Sequence, residues 1–201
     1  MIYREHIEWC DIWVTAAGDN SRSRVLLIGD SIVRSYYPHV QQQLAEHYAC
    51  ARIATSKCVA DPAFFRELEL VLEEYAFSVI HFNNGLHGWD YDECAYASGL
   101  AKAFDLLLAQ CGAPRLIWGS TTPVWQKGDE RILDAKTERV RQRNKLAAAL
   151  AAERGIRVND LFAEVIDQPE LFSKDGVHFL ENGQLVLGKC VAGAILEKAG
   201  S

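Results

Sequence analysis

A serine near one end of this chain and an aspartate–histidine pair near the other are residue types suited to nucleophilic acyl transfer. Ser31 stands in Gly29-Asp30-Ser31-Ile32-Val33, directly after the apolar run Arg24-Val25-Leu26-Leu27-Ile28. A serine on a sharp strand-to-helix turn is open to a base, and the N–H groups of that turn point towards the same spot. Near the other end stands Asp175-Gly176-Val177-His178-Phe179. An imidazole takes a hydroxyl proton near neutral pH, and a carboxylate three residues earlier in a turn holds the ring and fixes its tautomer. Each piece alone has a plain structural explanation, a Gly-Asp-Ser turn or an aspartate capping a helix. Together they argue for a triad of Ser31, His178 and Asp175.

A third piece is Ile80-His81-Phe82-Asn83-Asn84-Gly85-Leu86-His87-Gly88-Trp89. Two amides at a strand end are able to donate to a developing oxyanion, although Asn-Gly is also an ordinary turn. Trp89 and Trp125 fall in expected loops flanking the site, where aromatic rings stack on sugars or line an acyl pocket. Trp118 reads as core. His81 and His87 have no third ligand at a recognised spacing, so neither a metal nor any other cofactor is expected.

The elements that must position these residues alternate short apolar runs with longer amphipathic ones. Strands are expected at 24–29, 49–54, 77–82, 115–119 and 156–158. Helices are expected after Ser31 and over 63–75, 92–110, 129–154 and 181–199. The economical arrangement is a doubly wound three-layer α/β/α sandwich on a mostly parallel five-stranded sheet, with its site at the carboxyl ends of the strands. Residues 1–23 read as an aromatic-rich segment, with a short helix packed on the 24–201 domain or on a partner subunit. The run Arg139, Arg141, Arg143 and Lys145 follows Glu130, Asp134 and Glu138, a charge order that suits a solvated helix face.

Composition narrows the function. The chain has 201 residues, 49% apolar and 24% charged, with 21 Lys and Arg against 27 Asp and Glu, a net charge of −6. That mixture builds a core. The acidic balance speaks against nucleic acid, which needs a basic stripe. No apolar run approaches the roughly 18–20 residues that span a bilayer, and Met1-Ile2-Tyr3-Arg4-Glu5-His6 lacks the pattern of a leader. A cytoplasmic protein without a membrane partner is expected, a homo-oligomer remaining open. The six cysteines contain no Cys-x-x-Cys pair and read as free thiols, mostly buried.

With these residues in view, the sequence resembles the SGNH hydrolase superfamily of GDSL-type esterases and lipases. Gly29-Asp30-Ser31-Ile32 is similar to the family's first block and Asp175–His178 to its Asp-x-x-His block, over a span from Arg24 to Leu196. The resemblance implies the flavodoxin-like SGNH fold and a serine esterase acting on a small-molecule ester. Ser31 would be nucleophile, His178 base and Asp175 its partner, with Asp30 beside the substrate. Two blocks depart from the pattern. The third, Gly-x-Asn-Asp in the family, is here His81-Phe82-Asn83-Asn84, and a pairwise match makes Asn83 the oxyanion donor while a one-residue shift makes it Asn84. The second-block glycine is absent from Ala54-Thr55-Ser56-Lys57-Cys58-Val59. Its backbone N–H is available from any residue but proline, which leaves Ser56, Lys57 or Cys58.

The α/β-hydrolases also run Ser, acid, His, but need Gly-x-Ser-x-Gly where this chain has Val33. The altered blocks keep two alternatives open: a catalytically silent sugar-binding or interaction module, and an acyltransferase or thioesterase on the same site. The expected substrate is a small acyl ester, acetyl on a carbohydrate being the preferred example.

Overall fold

The structure is a computed structural model and describes residues 1–199. After an extended N-terminal stretch come β1 (Cys10–Val14), β2 (Arg24–Gly29), α1 (Ser31–Leu44), β3 (Ala49–Thr55), α2 (Pro62–Leu72), β4 (Val79–Phe82), α3 (Glu93–Cys111) and β5 (Leu116–Gly119). The hairpin strands β6 (Trp125–Gln126) and β7 (Asp129–Leu133) follow, then α4 (Lys136–Glu153), β8 (Arg157–Asn159), α5 (Leu161–Val165) and α6 (Glu181–Ala199).

The main sheet runs in the order β1-β3-β2-β4-β5-β8. Five of its strands are parallel, as expected. The sheet has six strands, not the expected five: the sixth, β1, comes from the N-terminal segment and pairs antiparallel with β3, Ile12 opposite Ile53. The chain leaves β2 for β3 on one side and returns to β4 on the other, so the topological switch lies between the carboxyl ends of β2 and β4. Such a switch opens a crevice there. Ser31 follows β2 and Asn83 follows β4.

Both faces of the sheet are covered, which is why β2 is apolar without alternation. Val25 and Leu27 face a cluster with Tyr36, Tyr37 and Val40 of α1 and Leu187 and Val191 of α6. Leu26 and Ile28 face Phe64 and Leu68 of α2, Phe104 and Leu107 of α3, and Trp118. Trp118 is fully buried, in edge-on contact with Phe82 and Phe104. Aspartates cap the helices after β2, β3 and β4's loop: Asp30 accepts from Ile32 N–H, Asp61 from Ala63 N–H and Asp92 from Ala95 N–H.

Two expectations need correction. The N-terminal helix is a strand: Ile12 and Trp13 remain exposed on an edge, while hydrogen bonding to β3 satisfies the backbone. The helix expected over 129–154 begins only at Lys136, because Gly128, with φ of 82°, turns the chain into the β6–β7 hairpin. Trp125 accordingly lies in a strand, not a loop. Of the six free cysteines, Cys50, Cys58 and Cys111 are buried, Cys190 is intermediate, and Cys10 and Cys94 are exposed. No helix among the described residues is long and apolar enough to cross a membrane.

His81 sits in β4 with no exposure, its Nε2 3.2 Å from the Asn159 side-chain amide. Burial pushes its pKa down to about 3. The unfolded chain binds a proton below about pH 6.5 that the native state refuses, so this group makes stability fall as pH drops from there towards 3, by up to about 1.4 kcal/mol per pH unit. Denaturant unfolding at pH 7 and pH 5 will show a smaller loss for His81→Gln than for the parent chain. An unchanged difference would mean that His81 titrates alike in both states.

Candidate active site

The elements bring the three separated residues into one hydrogen-bonded line. Ser31 Oγ lies 2.9 Å from His178 Nε2, and His178 Nδ1 lies 2.7 Å from Asp175 Oδ2. Ser31 is the first residue of α1 and half-buried; the histidine and aspartate side chains are 48% and 44% exposed, so the site is open to water. With Nδ1 donating to the carboxylate, Nε2 is left as the acceptor for the serine proton.

The Asp175–His178 turn is held from within and from behind. Asp175 Oδ1 accepts from Ser173 Oγ at 2.8 Å and from the N–H groups of Val177 and His178 at 2.9 Å each. Burial works against the charge of Asp175, but the bonds from the His178 ring, the two backbone N–H groups and Ser173 prevail and hold its carboxyl well below the usual carboxylate range. Gly176, with φ of 75°, is pressed against β6: a Cβ there would lie 2.1 Å from the Trp125 carbonyl oxygen. Trp125 N–H donates to the Gly176 carbonyl, and the Trp125 ring meets Phe172 edge-on. At 8% exposure, Trp125 supports the histidine turn and does not line the cleft as a substrate platform.

Asp30 is also structural. It is 1% exposed, and one carboxylate oxygen caps α1 while the other has no partner among the described residues. A carboxylate this enclosed cannot reach a substrate directly, and burial pushes its pKa up.

The two amides after β4 are used differently. Asn84 spans the loop after β3: its Oδ1 accepts from Val59 N–H at 3.1 Å and its Nδ2 donates to the Lys57 carbonyl at 2.8 Å. Asn83 Nδ2 donates to the Gly119 carbonyl at 2.7 Å and is 3.5 Å from Thr121 Oγ1. That long second contact leaves one N–H weakly engaged. In the β3 loop, Ser56 N–H donates to the Trp9 carbonyl and Lys57 N–H to Thr55 Oγ1. Cys58 N–H has no partner among the described residues although Cys58 is 2% exposed. Ser31 N–H, at the first position of α1, likewise has none, as helix geometry dictates. Unpartnered buried N–H groups are rare, and a site that must receive a developing anion is where they are stable.

The basic run on α4 differs from its reading as a solvated face. Arg141 and Lys145 are exposed, but Arg143 is wholly buried and donates to the carbonyls of Gly85, His87 and Gly88 at 2.9–3.0 Å, its guanidinium over the Trp89 and Tyr96 rings. Arg139 bonds Glu93 and the carbonyls of Trp89 and Tyr91. These arginines fix the loop after Asn83 and cover the half-buried Trp89. Spacing gave one usable sign: residues 139 and 143 are four apart, on one helix face. Among the described residues, no group of three His, Cys, Asp or Glu is arranged to hold a metal ion.

No known family profile and no curated protein sequence matches this chain. Solved structures do match in fold. A GDSL-like lipase from Bacteroides thetaiotaomicron superimposes with a TM-score of 0.71 at 16% identity, over 90% of this chain and 92% of that one. An acetylxylan esterase from Geobacillus stearothermophilus gives 0.68 at 16% identity, over 86% and 94%. The lipase/acylhydrolase from Enterococcus faecalis gives 0.66 at 17% identity, over 88% and 96%. The chain shares the fold of these proteins.

Proposed function

We propose that this chain is a serine ester hydrolase of the SGNH superfamily, which removes a small acyl group, acetyl above all, from a carbohydrate alcohol through an acyl-enzyme. The observation that carries this reading is the continuous line from Ser31 through His178 to Asp175, at 2.9 and 2.7 Å. The shared fold with a GDSL-like lipase and an acetylxylan esterase supports the reaction class, and the latter supports acetyl and sugar as its two halves.

In this mechanism Ser31 Oγ attacks the ester carbonyl as His178 Nε2 takes the hydroxyl proton. Asp175 offsets the imidazolium charge and keeps the ring in register. The oxyanion accepts from the N–H groups of Ser31 and Cys58 and from the loosely held N–H of Asn83. Collapse breaks the bond to the alcohol, which leaves with the proton from His178. Water then attacks the acyl-enzyme with His178 again as base, which regenerates Ser31 and releases the acid. The exposure of the triad supports water as acceptor over a second alcohol.

A fluorophosphonate probe tests the reading, because it reacts only with an activated serine. One adduct is expected on the peptide that contains Ser31, absent from Ser31→Ala, together with acetate release from 4-nitrophenyl acetate. No adduct and no release would leave the fold as a silent binding module.

A further inference from the structure

We propose that Thr121, after β5, and Asn144, on α4, are positioning residues for the oxyanion hole: Asn144 fixes the main chain of Thr121, and Thr121 fixes the Asn83 amide. The proposal rests on the esterase reading above and adds what holds its side-chain oxyanion donor in place.

A side-chain amide needs such holding. The torsion that turns an asparagine amide has a broad profile, so the group is not aimed by its own covalent structure. A donor lowers the barrier only if it is aimed before charge develops. Asn83 Nδ2 donates to the Gly119 carbonyl at 2.7 Å, and one bond leaves the amide free to pivot about it. Thr121 Oγ1 supplies the second restraint, 3.5 Å from the same nitrogen. At that distance the hydroxyl limits the pivot but competes poorly with an anion, which draws a shorter and stronger bond.

Thr121 is itself firmly set. It is 1% exposed, and its hydroxyl packs so closely on Gly85 that a Cβ there would lie 2.1 Å from Thr121 Oγ1. Its N–H donates to Asn144 Oδ1 at 2.8 Å, and its carbonyl accepts from Asn144 Nδ2 at 2.9 Å. Asn144 thereby uses both halves of its amide on one residue, as a neighbouring strand would. The chain on either side is tied elsewhere: Ser120 N–H donates to the Asn159 carbonyl, Ser120 Oγ to Asp160, and Val124 N–H to Thr137 Oγ1. Asn144 is the tie at the residue that faces Asn83.

The preceding residue of α4 acts on the other side of the amide. Arg143 donates to the Gly85 carbonyl at 3.0 Å, in the loop that Asn83 begins. Adjacent residues of one helix therefore anchor the loop after β4 and the loop after β5, and the Asn83 amide is held where the two meet. Among the described residues, neither Thr121 nor Asn144 bonds to Ser31, His178 or Asp175, so their effect on the reaction runs through Asn83.

Three variants test this. Thr121→Val keeps the shape and removes the hydroxyl, Thr121→Ser keeps the hydroxyl, and Asn144→Ala frees the Thr121 main chain. Thr121→Val and Asn144→Ala will each lower kcat for 4-nitrophenyl acetate by about tenfold with KM within about twofold of the parent, the pattern of a donor mis-aimed in the transition state. Thr121→Ser will keep kcat within about threefold of the parent, because the restraint on the amide is retained. In an Asn83→Ala background neither Thr121→Val nor Asn144→Ala will slow the enzyme further, because the group they aim is gone. A merely structural role would lower kcat by the same factor in both backgrounds. Losses that persist in full on Asn83→Ala, a Thr121→Ser as slow as Thr121→Val, or parental kcat in Thr121→Val or Asn144→Ala overturn the proposal and leave the esterase reading standing. A parent chain that cleaves no 4-nitrophenyl acetate, with Ser31 unlabelled by the fluorophosphonate, overturns that reading and this one with it.

Discussion

Ser31→Ala and His178→Ala will each lower kcat for 4-nitrophenyl acetate by about 10⁴-fold or more, the loss seen when either half of a nucleophile–base pair is removed. The two losses will not add, because the hydroxyl is a poor nucleophile without its base and the imidazole has no proton to take without the hydroxyl. Melting temperatures will stay close to the parent value. Ser31 is only half-buried and the His178 side chain is about half exposed, so neither truncation opens a cavity in the core. Asp175→Asn will cost less than either, since water reaches this exposed turn and the backbone still orients it through the Gly176–Trp125 contact. Its cost is nonetheless expected to exceed tenfold, because the carboxylate is the group that fixes the imidazole tautomer. Stopped-flow release of nitrophenolate checks all three; a Ser31→Ala or His178→Ala variant with parental turnover would remove the triad from the mechanism.

The hydrogen-bonded line of Ser31, His178 and Asp175 was legible in the sequence because its geometry is local at each end. Ser31 belongs to the turn after β2, and Asp175 and His178 share one turn three residues apart. Only the meeting of those ends is tertiary, and the α/β alternation supplied it. The parallel sheet was legible for the same reason: fully covered strands such as β2 read as unbroken apolar runs. What stayed hidden depended on contacts across the chain. Arg143 looks like any basic residue on a polar helix until the loop carbonyls of Gly85, His87 and Gly88 are seen around its guanidinium. β1 carries aromatic and aliphatic residues that suit a short helix as well as an edge strand, and only its pairing with β3 decides. Asp30 reads as a site residue from its place beside Ser31, yet burial makes it a helix cap.

Replacing the two amides one at a time separates roles that the sequence left interchangeable. Asn83→Ala will lower kcat by about 10²–10³-fold, equivalent to roughly 3–4 kcal/mol of transition-state stabilisation, with little change in KM, as expected of a donor that acts on the oxyanion more than on the ground-state carbonyl. Its cost in stability is the smaller of the two, because one acceptor, the buried Gly119 carbonyl, loses its side-chain donor. Asn84→Ala works through a different path. It leaves Val59 N–H and the Lys57 carbonyl, both inside the β3 loop, without partners, and each buried unsatisfied group costs about 1–3 kcal/mol. That variant will melt earlier, and its kcat will fall because the Cys58 N–H rides on the same loop. The signature that separates them is the pairing of rate with stability: Asn83→Ala slow with a small loss of stability, Asn84→Ala slow with a larger one. A stable Asn84→Ala that loses as much kcat as Asn83→Ala would transfer the donor role by one residue, and Asn83→Ala with parental kcat would remove that amide from the oxyanion hole.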